Sequence, residues 1–156
     1  MKNLTLSDAP GLLLPHPTPS RQLTNVELQA FRKLLHMDVK LAAELAGCTV
    51  QSWYAWENGT NPVPNKIAEF MDSIHRAFKD CLASYTNMVR EQADGERVAM
   101  RYYETFELFT SHHPQFSSRL DWRISQAVAA RLMVHQQVYL ISAEKIEKDF
   151  IWKIVL

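Results

Sequence analysis

No stretch of this chain stays apolar long enough to cross a bilayer, which takes about 20 residues in a helix. The Leu12-Leu13-Leu14 run is too short for a signal-peptide core and lies between Pro10 and Pro15. A cytoplasmic protein with no membrane partner is therefore expected. Cysteine is scarce. Cys48 and Cys81 are the only two, and neither belongs to a Cys-x-x-Cys pair, so reduced thiols are expected rather than a disulfide framework. The six histidines never take the His-Glu-x-x-His spacing. His112 and His113 are adjacent, and on a helix their rings would point about 100° apart. Neither a metal nor another cofactor is expected. An excess of either charge is also missing, since 17 Lys and Arg balance 17 Asp and Glu. That counts against a nonspecific nucleic-acid coat protein, but only weakly against a specific regulator, whose basic residues need only be local.

The most informative feature that is present lies between Asp38 and Gly59. Asp38 can cap a short helix, Val39 to Ala46, and Gly47 supplies a tight turn. Thr49 can cap a second helix, Val50 to Glu57, which Asn58-Gly59 stops. Helix, glycine turn and helix at this spacing form a helix-turn-helix cassette, whose second helix enters the DNA major groove. At the crossing of the two helices Ala43 leaves room that a larger side chain would fill. Ala46, Trp53 and Trp56 fall on the inward side, and Glu57 is expected to pair with Arg32.

Val50, Gln51, Tyr54 and Ala55 face outward and are the candidate base readers. Gln51 can pair bidentately with adenine, worth about 1–3 kcal/mol of discrimination, and Val50 and Ala55 can meet thymine methyl groups. Thr49, Asn58, Asn65 and Lys66 sit at helix ends suited to phosphate, with Lys40 and Lys33 as further backbone contacts. Across Arg21 to Lys79, seven Lys or Arg stand against six Asp or Glu, so the region is barely positive.

Around this cassette the fold is expected to be mainly α. A repressor-like helix-turn-helix domain of four to five helices would precede a small α+β dimerisation region. Residues 1–22 hold four of the seven prolines and read as an irregular arm, in which Leu12 to Leu14 could cover Leu41 and Leu45. Residues 23–93 hold the DNA-binding domain. Thr24-Asn25-Val26-Glu27 matches a capping box, opening a helix with Val26, Phe31, Leu34 and Leu35 on one side. After Pro62-Val63-Pro64, Asn65 opens a long helix to about Gln92. Its apolar residues Ile67, Phe70, Met71, Ile74, Phe78, Cys81, Leu82, Tyr85 and Val89 recur at steps of three and four. Asp94-Gly95 ends it.

Residues 94–141 read as the dimerisation domain. A strand over Arg97 to Tyr103 is followed by a helix from about Glu104 to Ser111. Asp121 caps a second helix, Trp122 to about Gln136, and another strand runs from Val138 to Ile141. The helix after Asp121 is apolar almost all round, which predicts burial. Two short strands cannot form a stable sheet alone, so pairing across a dimer is expected. Residues 142–156 form an amphipathic tail ending in Phe150-Ile151-Trp152 and Ile154-Val155-Leu156, expected to dock on its own chain or a partner.

Thr49 to Gly59 resembles the recognition segment of phage-repressor-type helix-turn-helix proteins. Four separated segments, in order, look like the YdiL-like family, to which the anti-CRISPR-associated autorepressors are related. They are Leu23 through Leu35, Ser52 through Glu57, Ala93 through Arg97, and Trp122 through Ala130. The likeness spans roughly residues 23 to 141. It implies a DNA-binding N-terminal domain, a C-terminal homodimer and an autorepressor reading an inverted repeat in double-stranded DNA, with RNA as a further partner of some relatives. Carried over by position, Gln51, Val50, Tyr54 and Ala55 would be the readers.

A protein-interaction module of antitoxin-like type is the rival reading, favoured by the near-neutral cassette and the apolar tail. Catalysis is not expected. Asp94/Glu96 and Glu144/Glu147 fall at turns or on solvated faces, and Ser125, His135 and Asp121 lack the turn a nucleophile needs.

Overall fold

The computed structural model describes residues 22–93, 97–116, 118–144 and 154–155, the last two by their backbone alone. Six helices and a small parallel sheet make up this part of the chain, so it is mainly α with a small α+β region. Residues 1–21 of the expected arm and the interior of the tail, including Phe150-Ile151-Trp152 and Glu147, lie outside the described residues, as does Asp94-Gly95.

Helix α1 (Asn25–Leu34) opens on the complete capping box: the Thr24 hydroxyl accepts from the Glu27 N–H, and the Glu27 carboxylate reaches back to the Thr24 N–H. Its buried face differs from the expected one. Leu28, Arg32 and Leu35 are buried, while Val26 and Leu34 are exposed. Residues 28, 32 and 35 are spaced by four and three, so they form a true helical stripe. The apolar-only reading excluded Arg32 and so rotated the face. His36, at a φ of 52°, then turns the chain out of the helix.

Helices α2 (Val39–Ala46) and α3 (Val50–Glu57) occupy the expected residues. Leu41 is buried and Leu45 half-buried; the Leu12 to Leu14 segment expected to cover them lies outside the described residues.

The long helix α4 (Asn65–Gln92) follows, with Ile67, Met71, Ile74, Phe78 and Val89 buried along one stripe. It is capped by the Pro64 backbone without a side-chain bond. Its outer turns touch α1, where Phe31 meets the His75 ring edge-on at 5.4 Å.

The C-terminal half runs β1 (Val98–Tyr102), α5 (Phe106–His112), α6 (Arg119–Val134), β2 (Val138–Ser142) and β3 (Ile154–Val155). Ser118, not Asp121, caps α6, and the helix starts three residues before the expected Trp122. Asp121 lies in the first turn, where its charge suits the helix dipole. Ile124, Ala127, Val128, Ala129 and Leu132 are buried as expected, but Met133 and Val134 at the C-terminal end are exposed.

The strands correct a further expectation. They pair within the chain, in the order β2-β1-β3, all parallel, with Val98 opposite Val138 and Ala99 opposite Ile154. The α5–α6 connection supplies the crossover that a parallel pair requires. Their mutual pairing removes the unsatisfied strands from which a dimer was argued. The expected docking of the tail on its own chain holds at Ile154–Val155, where β3 joins β1.

One cluster of buried side chains extends from Leu28 and Trp53 through Ile74 and Phe78 to Val128 and Val138. A second, smaller one gathers Tyr103, Phe109 and Ala143. Among the described residues, no helix is long and apolar enough to cross a membrane.

Candidate nucleic-acid interface

The cassette is fixed at each of its corners by backbone chemistry. The Asp38 carboxylate accepts from the Leu41 N–H at 2.7 Å, which caps α2. Gly47 ends that helix in the left-handed region at a φ of 65°, with its N–H returning to Ala43 and Glu44 carbonyls. Thr49 caps α3 by accepting from the Ser52 N–H at 3.0 Å. At the far end Asn58 accepts from both the N–H and the hydroxyl of Thr60.

Under α3 lies a buried polar group that locks it to α1. Arg32 meets Glu57 bidentately, Nε to Oε1 at 2.6 Å and Nη2 to Oε2 at 2.9 Å. Its Nη1 donates to the Met37 carbonyl at 2.7 Å. The Trp53 indole N–H donates to Glu57 Oε1 at 2.7 Å, and Trp53 itself is wholly buried. Asn25 adds a bond to the Glu57 carbonyl oxygen at 3.4 Å. Burial works to raise the Glu57 carboxyl, but the bonds from Arg32 and Trp53 and the Arg32 charge outweigh it and hold the group below its usual range. The hydrogen bond to Glu57 leads the opposite shift in Arg32, whose guanidinium is pushed up despite burial. Both partners are therefore held charged, as a buried pair must be. Trp53 and Trp56 touch edge-on at 6.1 Å.

With Trp53 and Glu57 turned inward, the outward side of α3 carries Gln51 and Tyr54, both exposed. Val50 and Ala55 flank them half-buried, and Val50 leans on the core. Thr49 is exposed, its hydroxyl shared with Ser52 at 2.9 Å. Lys40, Asn58, Asn65 and Lys66 are all exposed. Burial pushes the Cys48 thiol just before α3 up, and the Lys66 charge draws it down. Asn58 spends its carbonyl oxygen on the turn, leaving its amide group for any outside contact.

Sequence reasoning missed Asn25, which ties α1 to the end of α3, and the Met37 carbonyl, which completes the Arg32 shell. A polar residue in a helix's first turn gives no signal of a partner 32 residues away. The pairing of Arg32 with Glu57 was expected from Glu57 turning toward α1, although the expected apolar face of α1 left Arg32 out. Gln126 was also missed: it is buried in α6, donating to the Tyr103 carbonyl at 3.0 Å and accepting from Arg123 at 2.8 Å. Among the described residues, no group of three His, Cys, Asp or Glu is placed to hold a metal.

Comparison with known proteins bears on this geometry. A sequence model of the family described as Aca2/YdiL-like matches residues 23–141. The chain is similar to the Aca2 repressor of Pectobacterium phage ZF40, with 36% identity over 109 residues, covering 69% of this chain and 90% of that protein. It is also similar to the uncharacterized protein YdiL of Escherichia coli K12, with 28% identity over 111 residues, covering 70% of this chain and 92% of that one.

Proposed function

The chain belongs to the Aca2/YdiL-like family, and from that premise we propose that it is a sequence-specific DNA-binding repressor that acts in the cytoplasm. It works as a homodimer on an inverted repeat, with residues 23–93 as the reading domain and residues 94–141 as the dimerisation domain. The observation that carries this reading is the division of α3 into two faces. Trp53 and Glu57 bind it to the fold, while Gln51 and Tyr54 stand exposed.

In the complex, α3 lies in the major groove. Gln51 reads adenine, Tyr54 and the half-buried Val50 and Ala55 supply apolar contact, and Thr49 with Lys66 holds phosphate at the capped end. Lys40, Asn58 and Asn65 add contacts along the backbone. A repressor needs no catalytic group, and its partner is the operator duplex together with a second copy of the chain. The name of the phage relative, a repressor, supports the sign of the regulation.

Selection from random duplex DNA, followed by a gel shift of the winner at two salt concentrations, tests the proposal. The expected result is an enriched inverted repeat bound at two chains per site, with affinity falling linearly in log salt. The near-neutral charge of the region favours a protein-interaction module as the second reading. No enrichment, with a partner that co-purifies and resists salt, would replace the first reading with that one. Salt-sensitive binding to RNA alone would replace DNA with RNA.

A further inference from the structure

Where α4, β1 and α6 meet, a narrow crevice is lined by residues of all three elements. Its walls are largely apolar: Tyr85 comes from α4, Met100 and Tyr102 from β1, and Ala129 from α6. Arg101, between the two β1 residues, brings a permanent positive charge to this lining. Its Nε is buried and meets no hydrogen-bond acceptor. A second arginine borders the crevice from α6. Arg123 lies over the Trp122 ring, 4.1 Å from its centre, and its Nη1 donates to Gln126 Oε1 at 2.8 Å. Gln126 lines the crevice, and the Arg123 Nε is likewise buried without an acceptor.

Neighbouring acceptors are already engaged. The Tyr103 carbonyl oxygen accepts from the Trp122 indole at 2.9 Å and from Gln126 Nε2 at 3.0 Å. Gln126 Oε1 is taken by the Arg123 Nη1. Asp121 is two positions before Arg123, yet among the described residues no carboxylate pairs with either arginine. The buried Arg32, by contrast, has both Glu57 and the Met37 carbonyl. A buried donor on a charged group is costly to leave without a partner. Two of them around one crevice point to an acceptor that enters from outside.

We propose that this crevice is a binding site for a small carboxylate with an apolar body. The inference goes beyond the reading of DNA and does not depend on it. The acceptor is an anion, because two guanidinium groups stand here without a counter-charge. A carboxylate presents two oxygens in one plane, which a guanidinium fork matches. Tyr85, Met100, Tyr102 and Ala129 then receive the apolar part. A phosphate dianion sheds more hydration on entry and offers these walls no apolar surface. The Tyr85 phenol is pushed up to about 12, by burial first, so it stays neutral and adds no competing charge.

Titration calorimetry on the full chain at constant ionic strength, with benzoate and isovalerate as probes, tests the proposal. Saturable binding is expected, and Arg101→Gln should weaken it about tenfold or more, through the loss of one charge-assisted pair. Arg123→Gln should weaken it in the same direction. Benzyl alcohol, which has the aromatic body without the charge, should not bind. In amide spectra of the unaltered chain, benzoate should move the signals of Met100 to Tyr103 and of Ser125 to Ala129. That readout stands even if a variant does not fold. No saturable binding of either probe would overturn the proposal. So would signals that move only elsewhere, or a folded Arg101→Gln chain that binds benzoate as well as before. Inorganic phosphate bound at these residues in preference to benzoate would overturn the choice of a carboxylate.

Discussion

At the scale of the residue, two groups on one helix face opposite demands. Gln51 is exposed on α3, so Gln51→Ala should leave the melting temperature nearly unchanged. Its expected effect is on binding: a loss of about 1–3 kcal/mol in operator affinity and a relaxed preference at one base position, read by gel shifts on single-substituted operators. Glu57 is the reverse case. Glu57→Gln leaves Arg32 charged and buried without its counter-ion, and chemical denaturation should show a loss of about 3–5 kcal/mol. Because the folded carboxyl is held low, its contribution is complete above the unfolded value of about 4.3 and fades as pH falls through the folded value. The acid limb of a stability-against-pH curve should flatten in the Gln variant. The sequence made the outward turn of Gln51 and the inward turn of Glu57 legible, because period and caps fix which way each side chain of α3 turns. It did not reveal that Val50 and Ala55 are half-buried, since their exposure depends on how closely neighbouring turns approach.

At the scale of the element, caps were the most readable signals. Asp38, Gly47 and Thr49 each sit where their chemistry requires, and α2 and α3 span the expected residues. Gly47 has no atom within 4 Å of where a Cβ would lie, so space is not the constraint. Gly47→Ala should therefore cost only the left-handed conformation, about 1–2 kcal/mol in thermal melts. Trp53→Ala removes a wholly buried indole and the bond to Glu57, and about 3–5 kcal/mol should be lost, enough to abolish the cassette's near-ultraviolet dichroism. Less legible was the start of α6, where Ser118 and Asp121 are both competent caps and local chemistry does not choose between them. The face of α1 was misread for a different reason. Arg32 is a charged residue that belongs to the core only because Glu57, 25 positions away, is there to receive it.

At the scale of the whole molecule, composition limited the answer and pairing decided it. Two strands too short to stand alone were identified from their residues. That they join each other in parallel, with a third from the chain's last residues, follows from how α5 and α6 carry the chain back over the sheet. Long-range pairing of this kind leaves no local mark. The same chain-wide view gives α4 its meaning. It runs unbroken for 28 residues, about 42 Å at 1.5 Å per residue. It touches α1 at one end of its course and packs on α6 and β3 at the other. A rod shared in this way sets the gauge of the instrument. In the proposed homodimer, the separation of the two reading helices would be a fixed length rather than an adjustable one. One base pair added between half-sites would turn the second by about 34° and shift it by about 3.4 Å. The spacer of the proposed operator would thus be as much a part of the message as its letters.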